Sequence, residues 1–331
     1  MQRDPISPLM KLAKPVDQET YARSVIIDLQ RRGMLIGTRK RDGHKMIAEI
    51  CASGRIRLYT SSIHQIDDRL DYIREEIRAL GLREGTLLIG ELVVEMTIDA
   101  RLTDHLGSVS RILRASRMNV QKSLAQGLLP VFFVFNVMRR DTHDVIWEAE
   151  PYGVTLGWLQ RTLRSQAYVR PIEDVRGSFK DMRELSLREG WEGLVLYDRG
   201  YQITYKSSAS KGTEPRPDGC YKFKHYHEGD FFVIPSGRRF HDDGRLKDVM
   251  LLQWDGPQKL KRVNCGRLGA FTKSMRGGLT WMIDPKVLQV SFRDRNPGTG
   301  KLREPKFIRL RNDKSPAECI APRSWLKIQY V

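Results

Sequence analysis

The segment Gly37–Met46 reads GTRKRDGHKM and sets Lys40 between Arg39 and Arg41, directly ahead of an Asp42–Gly43 pair. Like charges disfavour one another, so such a cluster needs open solvent or an anion. Cationic flanks are expected to favour the neutral, nucleophilic form of Lys40. Asp-Gly is a tight-turn signal, and the runs on either side, MLIGTRK and HKMIAEI, predict two strands joined as a hairpin. K-x-D-G alone is common, and its reading depends on what surrounds it.

Outward from this segment, RSVIIDLQRR at 23–32 predicts a short amphipathic helix. RIRLYTSS predicts a further strand, and QIDDRLDYIREEIRAL a helix ending at Gly81. TLLIGELVVEM and PVFFVFNVM are apolar strands, with a helical stretch, SVSRILRASRMNVQKSLAQG, between them. VTLGWLQRTLRS and FKDMRELSLREG predict helices. EGLVLYD and CYKFKHY predict strands separated by a polar, Lys-rich loop from Tyr201 to Gly219. After His227 short strands alternate with Gly-rich turns, a pattern that predicts a small barrel. The domain boundary is expected near Gly229, with domains at 1–228 and 229–331 and a flexible joint from His227 to Asp230.

Several charges fall inside strands that otherwise look buried. Glu91 lies in LLIGELVVE and Glu192 opens EGLVLYD. Lys222 and Lys224 alternate with aromatic residues in YKFKHY, so both point to one face. Taken singly, each fits an edge strand with a wet face. Together, two carboxylates and several lysines suggest one pocket for a metal and a polyphosphate, because a buried charge needs compensation. Carboxylate oxygens suit Mg²⁺, and lysines suit phosphate.

The chain of 331 residues carries 57 Lys and Arg against 40 Asp and Glu, a formal charge of +17. An excess spread along the whole chain points to a polyanionic partner, with nucleic acid first. No basic amphipathic helix argues for a membrane surface. No stretch approaches a membrane span, and the N-terminal stretch lacks the apolar core of a signal peptide. Cys51, Cys220, Cys265 and Cys319 are isolated, without CxxC or zinc spacing, which suits reduced thiols in a cytosol. A soluble cytoplasmic protein is expected.

The order of motifs is K-x-D-G, G-E-L-V, F-F-V-F-N, E-G-L-V, K-F-K and R-x-D-K, running from Lys40 to Lys314. That order resembles the ATP-dependent DNA ligases of the covalent nucleotidyltransferase superfamily, in particular minimal ligases of bacterial or bacteriophage type. The chain ahead of Lys40 is short for the large N-terminal DNA-binding domain of eukaryotic ligases. The resemblance implies an α+β, two-domain fold. A nucleotidyltransferase (adenylation) domain with antiparallel sheets is followed by a C-terminal OB-fold β-barrel. It implies ATP and Mg²⁺ (or Mn²⁺) as cofactors, nicked double-stranded DNA as partner, a monomer, and roles in DNA replication, repair or recombination.

The same resemblance implies residue roles. Lys40 matches the lysine that takes AMP as a phosphoramide. Lys45 sits where the family has an arginine touching AMP and the nick. Glu91 matches the carboxylate that binds the ribose and assists the metal, and Phe135 the aromatic stacked on adenine. Glu192 matches a metal-coordinating carboxylate. Lys222 and Lys224 match the pair that holds the α-phosphate. Arg311 and Lys314, around Asp313, match residues that orient the pyrophosphate. Three departures stand out: Lys45 replaces arginine, Asn136 stands where the family often has Asp, and LYTSS replaces a Ser-Arg pair that reads the nick phosphate. Arg55, Arg57 or Ser61 are the candidate substitutes in LYTSS and its approach. The alternatives are an RNA ligase, a GTP-dependent capping enzyme, or a non-catalytic OB-containing nucleic-acid binder; LREPKFIRLRNDK favours a DNA ligase.

Overall fold

The computed structural model describes residues 16–17, 22–60, 64–66, 69–98, 101–104, 106–114, 117–125, 127–140, 147–148, 150–202, 219–269, 271, 273–296 and 299–322. The chain divides into two compact units, Met1–Lys224 and His225–Val331.

The first unit runs β1 (Val16–Asp17), α1 (Ala22–Arg31), β2 (Leu35–Lys40), β3 (His44–Ile50), β4 (Ile56–Thr60), α2 (Asp71–Ala79), β5 (Thr86–Ile98) and β6 (Arg101–Asp104). It continues with α3 (Leu106–Arg114), α4 (Arg117–Ala125), β7 (Pro130–Arg140), β8 (Trp147–Glu148), α5 (Tyr152–Thr162), β9 (Val169–Pro171) and β10 (Asp174–Val175). It closes with α6 (Phe179–Arg188), β11 (Gly193–Asp198) and β12 (Cys220–Lys224). Of the Lys-rich loop from Tyr201 to Gly219, residues 203–218 lie outside the described residues.

Two sheets result. One has the order β1-β12-β11-β2-β10, the other β4-β3-β5-β7-β8 with β6 on β5 and β9 on β7. Period-two alternation gives each sheet an outer and an inner face. Leu194 and Leu196 pack outward on Ile26 and Leu29 of α1 and Met182 of α6. Met46, Leu88, Leu92 and Phe132 pack outward on Ile73 and Ile77 of α2 and Leu159 of α5. The inner faces share a third cluster: Val93, Val131 and Phe133 from one sheet, Tyr197 and Cys220 from the other. α6 starts at Ser178, whose side chain and that of Asp181 form a capping box.

The hairpin expected at Asp42–Gly43 does not form. β2 pairs with β10 and β11, whereas β3 pairs with β4 and β5. The Asp-Gly pair carries the chain from one sheet to the other. Its bend is held by distant partners: the Asp42 amide donates to Asp104 Oδ2 at 2.8 Å. A β-carbon on Gly43 would collide with the Leu92 carbonyl. The long helical stretch before β7 is two helices, α3 and α4, rather than one.

The second unit runs β13 (His227–Val233), β14 (Arg238–Phe240), β15 (Leu246–Trp254), β16 (Arg262–Gly269), α7 (Lys273–Thr280), β17 (Lys286–Phe292) and β18 (Lys306–Leu310). Its sheet has the order β14-β15-β13-β17-β18, with β16 on β15. Phe231, Val249, Leu251, Leu288, Val290 and Phe292 form its core with Leu279 of α7. The stretch expected as a flexible joint, His227 to Asp230, is paired residue by residue with β17. Gly229 there sits against the rings of Phe231 and Phe292, in a paired strand rather than a swivel. Among the described residues no helix is long and apolar enough to cross a membrane.

Candidate active site

β11 lies between β2 and β12, and the register builds the site in rows. Lys40, Gly193 and Lys224 stand side by side, then Thr38, Val195 and Lys222, then Ile36, Tyr197 and Cys220. Directly paired residues share a face, so these rows line the inner side of the sheet. They grade from apolar at depth to cationic at the strand ends. Gly193, at φ +153, lets the backbones close: a β-carbon there would meet the Phe223 carbonyl.

Glu192, just before Gly193, sits among these lysines. Its side chain is 2% exposed, with Lys40 Nζ 2.5 Å and Lys224 Nζ 3.9 Å from its Oε1. Burial, reinforced by Lys40 and Lys224, pushes the Lys222 ammonium below its ordinary value.

The facing sheet supplies a second row, Lys45, Glu91 and Phe133. Burial pushes the Glu91 carboxyl up to about 7; Lys40 opposes this, while Glu192 and Asp42 add to it. Burial brings Lys45 down to about 8 against the pull of Glu91, with Lys222 adding to the drop. The two rows therefore sense one another across the cleft. Phe135 is the extra residue of a β-bulge, because Ile89 pairs with Asn136 and Gly90 with Val134. It joins the inner apolar cluster at the end of the cleft. Buried Asn136 accepts from the Val137 amide at 2.7 Å beside the bulge, a bond that Asp would make equally well.

Arg39 and Arg41 each have carboxylate partners of their own. Arg41, whose side chain is 2% exposed, reaches Glu95 at 2.8 Å and Asp104 at 2.7 Å. It also grips Glu173 with two nitrogens and lies over the Phe133 ring at 3.6 Å. Arg39 pairs with Asp104 at 3.1 Å and with Glu173 at 3.6 Å. Neither shares a carboxylate with Lys40. The basic triplet is two anchors around one amine with a partner of its own: the arginines fasten the end of β2 to the other sheet, and Lys40 pairs with Glu192. Sequence reasoning missed Glu95, Asp104 and Glu173 altogether.

No protein-family model matches the sequence, and no curated protein matches it. Solved structures do. One from a structure–function analysis of Lig E DNA ligases superposes with a TM-score of 0.61 at 13% identity, over 90% of this chain and 99% of that one. Another, Pmar-Lig_Pre, gives 0.63 at 13% identity, over 92% of this chain and 68% of that one. The fold is that of DNA ligases.

Within this ligase fold the remaining expected residues separate. Lys40, Lys45, Glu91, Glu192, Lys222 and Lys224 come together in one cleft, with Phe135 at its apolar end. Arg55 and Arg57 do not. β3 and β4 form an antiparallel hairpin in which Arg57 faces Glu49 and Met46 faces Thr60. Arg57 is thus level with a residue four places from Lys45, about 13 Å along the strand, and Arg55 lies further still. Ser61, the third candidate, lies with Ser62 outside the described residues. In the second unit, Arg311 and Lys314 converge on Asp230, at 3.2 Å and 2.7 Å. Arg311 also pairs with Asp313 at 2.9 Å.

Among the described residues no group of three or more His, Cys, Asp or Glu could hold a metal. Glu91 and Glu192 are a pair of hard oxygen ligands, and the Glu192 charge adds to the upward push on the Glu91 carboxyl. That donor set fits Mg²⁺, which commonly takes one or two carboxylates and completes its shell with water and substrate phosphates.

Proposed function

We propose that this protein is an ATP-dependent DNA ligase that seals nicks in duplex DNA through a lysyl-AMP on Lys40. The observation that carries the reading is the row Lys40–Gly193–Lys224 closed around buried Glu192 and faced by Glu91 and Lys45. It combines a nucleophilic amine, phosphate-binding cations and two carboxylates on rigid strands.

The Lys40 amine attacks the α-phosphorus of ATP. An N–P bond forms, the α–β P–O bond breaks, and pyrophosphate leaves. Glu192, in ion-pair contact with Lys40 Nζ, is within reach of the proton that the ammonium must lose. Lys222 and Lys224 hold the α-phosphate as negative charge develops. Glu91 and Glu192 would hold Mg²⁺, which supplies neutralisation of phosphate charge when bound. Phe135 offers its ring to adenine. A nick 5′-phosphate then takes AMP from Lys40, and the 3′-hydroxyl displaces AMP to close the strand. The second unit acts as an OB domain that contributes Arg311 and Lys314 to pyrophosphate departure.

The test is sealing of a defined nicked duplex with ATP, NAD⁺ or GTP, beside the same nick in RNA. Joining of DNA with ATP alone is expected, and binding to the nick should weaken steeply as salt rises. GTP-dependent labelling, a preference for RNA, or binding without any covalent labelling would each overturn the reading in favour of a capping enzyme, an RNA ligase or an inert binder.

Lys45 carries a pH prediction. Phosphate contact needs its ammonium form, which is lost as pH rises through about 8. The KM for ATP in adenylation should therefore climb above that pH. Lys45→Arg, which stays charged, should move the climb to higher pH. An identical profile for both proteins would remove Lys45 from the phosphate site.

Arg311 and Lys314 carry a kinetic one. Contacts made only to departing pyrophosphate affect only that step. Arg311→Ala and Lys314→Ala should each slow adenylation by roughly 10²-fold, the scale of a lost contact to developing charge. Joining of a nick already carrying 5′-AMP should stay near normal. Equal losses in both steps would mean that these residues only secure Asp230 and the β18 turn.

A further inference from the structure

In the second unit, the chain leaving α7 presents Trp281 and Ile283 to solvent, at 82% and 86% exposure. The core does not need them. Leu279 and Met282 are buried and Met275 packs beside them, so α7 is already seated by its other face. The Trp281 amide still bonds the Gly277 carbonyl at 3.3 Å, which places the indole one turn along the helix from Gly277. Gly277 and Gly278 are themselves unusual. Both are exposed, neither has a positive φ, and a β-carbon on either would meet nothing within 4 Å. Alanine is the better helix former at such positions, so nothing inside the fold calls for glycine. Bare helix backbone beside a protruding indole is what an external body in close approach requires.

Charge selects that body. Residues 225–331 hold 21 Lys and Arg against 11 Asp and Glu. Near the prong, Arg238 donates to the Thr280 carbonyl, Arg276 lies one turn before it, and Lys286 opens β17; Asp284 is the neighbouring acid. An apolar wedge in a cationic setting suits a duplex, whose grooves take apolar side chains between base steps while cations hold the phosphates.

We propose that Trp281 and Ile283, with the bare backbone at Gly277 and Gly278, form a duplex-contact wedge of the second unit. The wedge rests on the ligase reading only for the identity of its duplex. It takes no part in the chemistry at Lys40.

The experiment is anisotropy of a fluorescent nicked duplex with the full-length protein, alongside thermal unfolding, sedimentation and adenylation by labelled ATP. Trp281→Ser/Ile283→Ser should weaken binding about tenfold or more, the scale of losing a central aromatic contact. Its unfolding temperature and adenylation should be unchanged. Gly277→Ala/Gly278→Ala should raise the unfolding temperature yet still weaken binding, a combination that a purely structural role cannot produce. If the unsubstituted protein binds duplex and both variants bind equally well, the wedge is wrong and the ligase reading stands. If the serine variant only converts a dimer to a monomer, the surface is a self-association interface and the wedge is also wrong. If the unsubstituted protein does not bind duplex while labelling with ATP persists, the DNA reading itself falls.

Discussion

Lys40→Arg should fold and yet form no acid-labile AMP adduct with labelled ATP. Arginine stays protonated in proteins and offers no lone pair to phosphorus. It preserves the cation beside Glu192, which Lys40 supplies at 2.5 Å and Lys224 only at 3.9 Å. That makes it a cleaner variant than Lys40→Ala, which should also lose the adduct. The alanine change additionally strips a buried carboxylate of its nearer partner, at a cost of about 1–3 kcal/mol. Both variants are read by a denaturing gel after incubation with labelled ATP and Mg²⁺, with unfolding temperatures measured in parallel. A normal adduct in either would falsify the assignment of Lys40 as nucleophile. Loss of the adduct together with loss of the fold in Lys40→Arg would leave the amine a structural role only.

The site was legible in the sequence where charge broke a strand's period. Glu91 interrupts an apolar run, and Lys222 and Lys224 fall on alternate positions between aromatic residues. A carboxylate or ammonium inside a sheet is costly enough that its presence signals compensation nearby. The structure brings those charges together. What local sequence could not convey was which strands pair. Asp42–Gly43 carries a sound turn signal, but a turn signal describes a bend, not the partner of the strand that follows. Here the decision lies with Leu92 and Asp104, far along the chain.

The same limit explains the arginines. Arg39 and Arg41 are nearest neighbours of Lys40 in sequence, and proximity along the chain suggested an electrostatic influence. Their partners Asp104 and Glu173 lie 63 and 132 positions from Arg41 and are invisible to any window around it. Arg55 and Arg57 lie away from Lys45 for a related reason. They follow Lys45 closely in sequence, but an antiparallel hairpin carries the chain away before it returns, so short separation became long distance. Trp281 gave no signal at all, since a tryptophan in a sequence reads as core until its exposure is known.

Arg41→Met should be among the most destabilising single changes in the first unit. The guanidinium is nearly inaccessible and meets three carboxylates, two of them, Glu95 and Asp104, at side-chain exposures of 12% and 6%. Removing one partner from a buried ionic group that has no other costs about 3–5 kcal/mol, which is the upper bound here. Other cations soften the loss in part: Arg39 pairs with Asp104 and Glu173, and half-exposed Arg170 pairs with Glu95 at 3.3 Å. Methionine can still cover Phe133, so the change tests charge more than volume. Arg41→Lys should fall between the two: a point charge cannot reproduce a fork that grips Glu173 with two nitrogens while reaching Asp104 and Glu95. The measurement is equilibrium unfolding in urea, with adenylation followed under conditions where each variant remains folded. The expected order of stability is unsubstituted protein, Arg41→Lys, Arg41→Met, while folded Arg41→Met should still form some adduct on Lys40, unlike Lys40→Arg. An Arg41→Met protein that unfolds at the same urea concentration as the unsubstituted one would show that the network fastens nothing. The basic triplet around Lys40 would then have to be explained by an external anion instead.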